Sequence, residues 1–311
     1  TPLHCKATLF AYPPFVALLI SPLLVMPVWL REAVWYCVSI GTLLASLQLC
    51  EALARRLFPD NWTEREVIWF RTLTFVLSLR FMLSVLENQA YDSVAFVFIL
   101  LGLLALVSER SVLAGAALGV AAALKVTPLI FLLYLLVKRR FAGAAAFVAV
   151  LVFLSLLPDI LLPPKESWHI VTWLREILLG PFFTDPTQIA VQYWVGANPL
   201  NRSFHGMDAR IFNEIDQPQQ FKMLLLAISG LYALGVGLVM LKSLRNDRLI
   251  AVDGALLVVS ALALSPITSA SHFVGLMLPC AILAAAVVKD RSMRVVAAAG
   301  LLASFVLAPA T

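Results

Sequence analysis

Charge is scarce in this chain. Of its 311 residues only 13% are Asp, Glu, Lys or Arg, about half the share usual in a soluble domain. With 61% hydrophobic residues and a mean hydropathy of +0.93, that scarcity excludes a disordered tail, a coiled coil and a soluble globule. Glycine is sparse as well, at 14 residues, with no collagen period and no Gly-rich loop to cradle a nucleotide phosphate. The four cysteines, Cys5, Cys37, Cys50 and Cys280, contain no CxxC pair, and three lie in apolar runs, so they read as buried thiols. The four histidines, His4, His169, His205 and His272, show neither HExxH spacing nor a companion carboxylate cluster, so neither a metal nor another cofactor is expected. The net charge of +5 reads as basic cytoplasmic loops and not as a nucleic-acid footprint.

What the chain has in quantity is long apolar sequence. Runs of about 16–20 residues recur to its C-terminus, each of spanning length at ~1.5 Å per residue. A lone secretory signal does not explain them. The segment 13–27 is apolar but short and bracketed by prolines, which predicts an interfacial helix or half-span. Spans are predicted at 32–54, 67–86, 93–107, 111–137, 142–161, 222–241, 250–264, 273–288 and 295–308. Residues 162–221 form the one sizeable polar segment and are expected outside the membrane. The chain opens at Thr1 in a polar tail, which predicts that an N-terminal piece precedes it.

The segment 111–137 decides the topology. As one span it would place Arg110 and Lys138-Arg139-Arg140 on opposite sides and flip every later loop. As two short helices broken at Lys125-Val126-Thr127-Pro128, it leaves the clusters at 138–140, 242–248 and 289–294 on one side with Arg55, Arg56 and Arg65. Proline disfavours helix in the residue before it, and short-loop Lys/Arg sets orientation, so the hairpin is the reading adopted. Its first limb covers only ~21 Å, so both limbs need shelter from lipid inside a bundle. Polar residues then gather at the extracytoplasmic face: Glu87 to Asp92, Lys125, the 162–221 segment and Ser265 to His272. Multi-pass residence in the plasma (inner) membrane, with a site on that face, follows as the expectation.

Lys125 is the sharpest single residue, since an ammonium in an apolar segment needs a partner or a task. A phosphate suits its compact point charge, and a snorkelling helix-end lysine is the plain alternative. Glu87 is an acid–base candidate or a partner for Lys125, Gln89 a ligand for sugar hydroxyls, and Asp92 a ligand or a helix cap. His272 is a candidate general base or phosphate donor. Arg80 lies deep enough in its span to need a partner, with Glu87 in reach. Gly115-x-x-x-Gly119 reads as a close helix-packing motif.

The block Ala114-Gly-Ala-Ala-Leu-Gly-Val-Ala-Ala-Ala-Leu-Lys125-Val-Thr-Pro128, followed by an apolar stretch and Lys-Arg-Arg, resembles the glycosyltransferase family 87 membrane enzymes of the GT-C superfamily. Tyr12-Pro13-Pro14, Gln89, the Asn201, Ser203 and Arg210 region, and Ser265-Pro266 with His272 resemble further blocks of that family in order. Asn88, Tyr91, Arg202, Ser269 and Ser271 depart from its pattern. The resemblance implies an all-α polytopic membrane protein, a GT-C-like bundle of about ten transmembrane helices with a short interfacial helix, as a single domain over 1–311. It implies transfer of a hexose, mannose in the family, from a polyprenyl-phosphate donor to a glycolipid or glycan acceptor, with membrane lipid around it. Carried over, Lys125 and Arg202 would hold the donor phosphate, His272 and Glu87 would serve catalysis, and Tyr12, Gln89, Asp92 and Asn201 would touch sugar or acceptor. The family's catalytic aspartate lies in an outer loop expected to precede Thr1. The competing reading is a secondary transporter or lipid-linked sugar flippase, which internal repeats and midplane polar residues would favour.

Overall fold

The computed structural model describes residues 12–163, 167–179, 201–212, 218–244, 246–265 and 268–289. All regular structure among the described residues is helical. In order it comprises α1 (Pro14–Ile20), α2 (Val28–Leu57), α3 (Glu64–Glu87), α4 (Asp92–Val107), α5 (Ser111–Leu124), α6 (Ile130–Val137), α7 (Phe141–Leu161), α8 (His169–Trp173), α9 (Phe204–Phe212), α10 (Pro218–Ser243), α11 (Ile250–Leu264) and α12 (Met277–Lys289). Helices are what lipid permits, because every backbone amide and carbonyl must find its partner within the protein.

Local signals set the helix boundaries. Pro14 occupies the first turn of α1 and Pro27 precedes α2. α3 starts on a capping box, in which Thr63 accepts from the Glu66 amide and Glu66 accepts from the Thr63 amide. Three helices end alike: the residues at the turns after α3, α4 and α6 are Gln89 (φ 48°), Glu109 (φ 60°) and Arg139 (φ 56°). In each turn the next amide bonds back five residues, Ala90 to Val85, Arg110 to Ala105 and Arg140 to Leu135. This Schellman closure reverses the chain within three residues, using a polar side chain where glycine is commoner.

α4, α5, α6 and α7 form the centre. A Cβ at Gly115 would lie 1.9 Å from the Gly143 carbonyl oxygen, and one at Gly119 would lie 2.7 Å from that of Phe147. The equal four-residue steps show α5 and α7 running parallel with their backbones touching, the use expected of a small-xxx-small pair. Gly143 also meets Ser111 and Leu135, so α6 returns to the start of α5. The segment 111–137 is therefore the predicted hairpin, broken at Lys125 and a 3-10 turn over Thr127–Leu129.

Length and burial sort the helices. Five meet the length and apolarity of a membrane span: Val28–Leu57, Glu64–Glu87, Phe141–Leu161, Lys222–Ser243 and Ala270–Lys289. The expected total of about ten also counted α4, α5, α6 and α11, which have 16, 14, 8 and 15 residues. It counted 295–308 as well, which lies outside the described residues. The short helices α4, α5 and α11 are more than half buried, whereas the apolar window of α10 has no buried residue. A helix walled by other helices need not match bilayer thickness. The long helices α7 and α10 face outward in their place. α1 and the turn after it leave Leu19, Leu24 and Val25 exposed, as an interfacial helix would.

The polar groups divide between two ends. At one, Arg140 pairs with Asp247 at 2.6 Å, Lys289 with Glu66 at 3.2 Å, and Lys138 with the buried Asp253 at 3.4 Å. Asp253 also accepts from Tyr134 and Ser243, which closes the network. The other end holds Gln89, Asp92, Lys125, the 201–210 segment and the 268–272 segment. Gly115→Ala forces a methyl group into a backbone contact and is expected to destabilise the bundle by about 1–3 kcal/mol. Thermal unfolding in detergent measures it, and Gly41→Ala, where the added Cβ meets nothing within 4 Å, is the control.

Candidate functional site

The site begins where α5 stops. Pro128 ends helical continuity, and Lys125 adopts an extended backbone (φ −149°, ψ 136°) with its amide bonded to Ala121. The freed carbonyl of Leu124 accepts from the Tyr91 hydroxyl at 3.1 Å, so the helix end is satisfied by a side chain from the start of α4. This geometry carries the Lys125 ammonium to Asp92, the first residue of α4, and the two form an ion pair. A carboxylate in the first turn also faces the positive end of its own helix.

Two further groups close on Asp92. Ser271 Oγ donates to its Oδ2 at 2.9 Å, and His272 Nε2 lies 3.8 Å from its Oδ1. The 3-10 helix Ala270–Leu276 supplies both residues and starts on a capping box in which His272 stands where Glu or Gln is usual. The Ser269 amide donates to His272 Nδ1 at 3.3 Å. An Nδ1 that accepts a hydrogen bond places the proton of the neutral imidazole on Nε2, which turns a donor toward Asp92 and the space beside it. Both Asp92 oxygens are thus engaged, which makes it a holder of cations and donors and a poor proton acceptor.

A cavity opens beside the cluster. Asp92, Lys125 and His272 stand at its polar part, and Phe96, Phe131 and Leu262 are among its apolar walls. Lys125 has three ammonium protons, and Asp92 does not exhaust them. Lys125 and His272 can therefore present two donors to one anion. Tyr12 stacks edge-on against Tyr91 at 5.0 Å. Burial, and then the charge of Asp92, raise the pKa of Tyr12, so its hydroxyl stays protonated at neutral pH. Among the described residues no three His, Cys, Asp or Glu side chains converge as a metal set.

The remaining sequence candidates fall in different places. Glu87 ends α3, exposed and away from Lys125, whose partner is Asp92. Arg80 finds no partner in Glu87 either; it stands near Arg202 and Arg210. Gln89 is exposed at a turn and its carbonyl accepts from Trp35 Nε1 at 2.8 Å. Asn201 is fully buried. Its Oδ1 accepts from the Ser203 amide, the Ser203 hydroxyl and the Thr268 amide, which bolts the 201–203 segment to the 268–272 segment. Burial, and then the charges of Arg80 and Arg210, push the Arg202 guanidinium below its ordinary range. The sequence reading missed Ser271 and Tyr91 as site residues. Their one visible signal is adjacency to His272 and Asp92. Pro266 and the tail before Tyr12 lie outside the described residues.

The model of glycosyltransferase family 87 matches residues 10–266. A polyprenol-phosphate-mannose-dependent alpha-(1-2)-phosphatidylinositol pentamannoside mannosyltransferase of Mycobacterium tuberculosis is 28% identical over 269 residues, covering 86% of this chain and 56% of the relative. The protein of the same description from Mycolicibacterium smegmatis is 28% identical over 271 residues, covering 86% of this chain and 59% of the relative. The chain thus spans a little over half the length of the curated relatives it matches. No solved structure matches it.

Removing one member of a buried ion pair strands the other. Asp92→Ala is expected to cost about 3–5 kcal/mol of stability. The double substitution Asp92→Asn with Lys125→Met is expected to recover most of it. Thermal unfolding of the single and double variants in one detergent checks both. A double variant no more stable than Asp92→Ala would show that the pair is not what holds this end together.

Proposed function

The chain belongs to glycosyltransferase family 87, and from that premise we propose that it forms the membrane core of a mannosyltransferase using a polyprenyl-phosphate donor. The observation that carries the reading is the Lys125–Asp92–His272 cluster, a preset pair of donors at the mouth of an apolar cavity. The relatives are described as dependent on polyprenol-phosphate-mannose and as acting on a phosphatidylinositol mannoside, so a glycolipid acceptor is the counterpart proposed.

In the proposed reaction an acceptor hydroxyl attacks C1 of the sugar and gives its proton to a base. The new C1–O bond forms as the bond from C1 to the phosphate oxygen breaks. The electron pair leaves with polyprenyl phosphate. Lys125 Nζ and His272 Nε2–H bond the departing phosphate, whose charge grows as the bond breaks, and an environment poor in water strengthens those bonds. Asp92 and Ser271 hold the two donors in place. The base is a carboxylate outside this cluster, since both oxygens of Asp92 are occupied. Tyr12 lines the acceptor side.

The Lys/Arg asymmetry supports placing the end that holds Lys138, Arg140 and Lys289 in the cytoplasm and the site on the extracytoplasmic face of the plasma membrane. On a cysteine-free background, a membrane-impermeant thiol reagent applied to intact cells is expected to label Gln89→Cys and not Glu109→Cys. These exposed turn residues occupy opposite ends of α4. The reverse pattern would invert the topology.

Transfer from polyprenyl-phosphate mannose by the whole protein tests the activity. Lys125→Ala is expected to lower the rate by roughly 10²–10³-fold, the size usual for losing one charge-stabilising donor. The stabilised Asp92→Asn, Lys125→Met double variant is expected to stay equally slow, which separates catalysis from folding. A folded Lys125→Ala variant with near-normal turnover would end the phosphate role. Intact lipid-linked sugar recovered across proteoliposomes, without transfer, would favour a flippase.

A further inference from the structure

The polar part of the cavity has a fourth member. Thr127 lines it together with Asp92, Lys125 and His272, and every other lining residue is apolar. Two peptide units separate Thr127 from Lys125, so their Cα atoms lie within about 7 Å of each other. The hairpin break that turns Lys125 out of α5 therefore brings a hydroxyl to the same place as the ammonium.

A threonine or serine in an apolar segment ordinarily spends its hydroxyl proton on a carbonyl of the preceding turn. Thr42, Ser46 and Ser260 do so here, donating to the carbonyl four residues back at 2.9, 2.8 and 2.7 Å. Thr127 does not follow them. α5 has ended at Leu124, and the Leu124 carbonyl, three residues back from Thr127, already accepts from the Tyr91 hydroxyl. Among the described residues the Thr127 hydroxyl has no hydrogen-bond partner. Thr74 and Ser78 of α3 share that lack, but both are buried and neither lines this cavity. Thr127 is half-buried on a cavity wall, beside the ammonium.

The character of the four groups selects the ligand. Both Asp92 oxygens are engaged, one by Lys125 and one by Ser271. What the cavity still offers is donors: ammonium protons of Lys125, the Nε2–H of His272 and the O–H of Thr127. A sugar ring presents hydroxyls that need acceptors as well as donors, and the apolar remainder of the wall supplies none. A phosphate asks for donors alone. We propose that Thr127 Oγ1 donates a hydrogen bond to the phosphate of the polyprenyl-phosphate sugar, as a third donor beside Lys125 and His272. The inference rests on the proposed transferase reading and adds a residue to its phosphate site. Thr127 keeps its proton throughout; the electron pair of the breaking C1–O bond stays on the phosphate, as in the reaction above. A hydrogen bond strengthens with the charge of its acceptor. The donor phosphodiester carries one negative charge and the leaving phosphate gains a second, so the Thr127 bond counts for more as the bond to C1 breaks. Its loss should therefore fall mainly on kcat.

The test uses the full-length protein in detergent and compares Thr127→Val, which keeps the branched shape and loses the hydroxyl, with Thr127→Ser, which keeps the hydroxyl. With polyprenyl-phosphate mannose as donor, Thr127→Val is expected to lower kcat about ten- to hundredfold, the size of one hydrogen bond to a charged group. Thr127→Ser is expected to keep most of the rate. Should Thr127→Val fail to fold, Thr127→Ala carries the same comparison. Equal kcat in Thr127→Val and wild type overturns the proposal. So does a Thr127→Ser variant as slow as Thr127→Val, which would assign the effect to shape, and so does a raised acceptor KM with kcat intact, which would move Thr127 to the other substrate. Equilibrium binding gives a readout that needs no turnover. Polyprenyl phosphate is expected to bind Thr127→Val several-fold more weakly than wild type or Thr127→Ser, and the uncharged polyprenol to bind all three alike. Equal affinity for polyprenyl phosphate in all three overturns the proposal. The two readings fail separately. Polyprenyl phosphate binding that is lost in Lys125→Ala and unchanged in Thr127→Val leaves the phosphate site standing without Thr127. A wild-type protein that transfers nothing sinks the transferase reading, and the binding comparison still decides Thr127.

Discussion

An ammonium at the end of a helix built of alanine, leucine, valine and glycine has to be matched, and Asp92 is its match. Once the pair is set, much of the architecture follows. α5 must stop at Leu124 so that Lys125 can turn out of the helix, and α4 must begin beside that stop. Both helices are then confined to short lengths, and α4 runs antiparallel to α5. Short helices cannot face lipid along a full bilayer, so longer ones surround them. The charge of one residue is thus connected to the distribution of helix lengths across the bundle.

The hairpin is anchored twice by the same chemistry, with different surroundings. Lys138, just beyond α6, pairs with Asp253, and their side chains are 4% and 1% exposed. Tyr134 and Ser243 complete that network. Lys125 and Asp92 are 17% and 8% exposed and border the cavity. In the Lys138–Asp253 pair both carboxylate oxygens have side-chain donors and the ammonium has a second acceptor, the Ser243 carbonyl at 2.8 Å. The other keeps ammonium protons in reserve. Burial of a Lys–Asp pair is weak evidence for function taken alone. The contrast between a lysine with a second acceptor inside the bundle and one that borders a cavity, within one fold, is better evidence.

Much of this was legible in the sequence. Pro128 and the Lys/Arg asymmetry revealed the hairpin, and the small-residue spacing of Gly115 and Gly119 revealed its close packing. The partner of Lys125 was not legible. Glu87, Gln89 and Asp92 lie within six residues, and which of them turns inward depends on a Schellman turn whose left-handed residue, Gln89, is not the glycine that usually signals it. That turn sends Glu87 outward and Asp92 inward. Asn201 shows another limit. The sequence offers it as a polar ligand, and the structure adds an Asx turn whose Oδ1 clamps two segments. A side chain's hydrogen-bonding type is visible in sequence, but the partner that consumes its capacity is not. Among the described residues five helices reach span length where the sequence suggested more, for a related reason: apolar runs of similar length become spans or interior struts according to their neighbours.

In the proposed reaction the engagement of Asp92 is an advantage. A free lysine would have to surrender rotamer freedom, worth up to about 2 kcal/mol, when its phosphate arrives. Asp92 has already fixed it. The neutral His272, with its proton on Nε2, adds a donor without adding a second full charge beside Lys125. The ground-state donor phosphate therefore meets a partly compensated cation and a dipole, and is not bound too tightly. As the sugar–oxygen bond breaks, negative charge builds on the phosphate, and Lys125 can shift its hydrogen bonding from Asp92 toward the leaving oxygen while Ser271 keeps the carboxylate satisfied. Stabilisation then grows along the reaction coordinate, which is what accelerates a step; equal binding of ground and transition states would not.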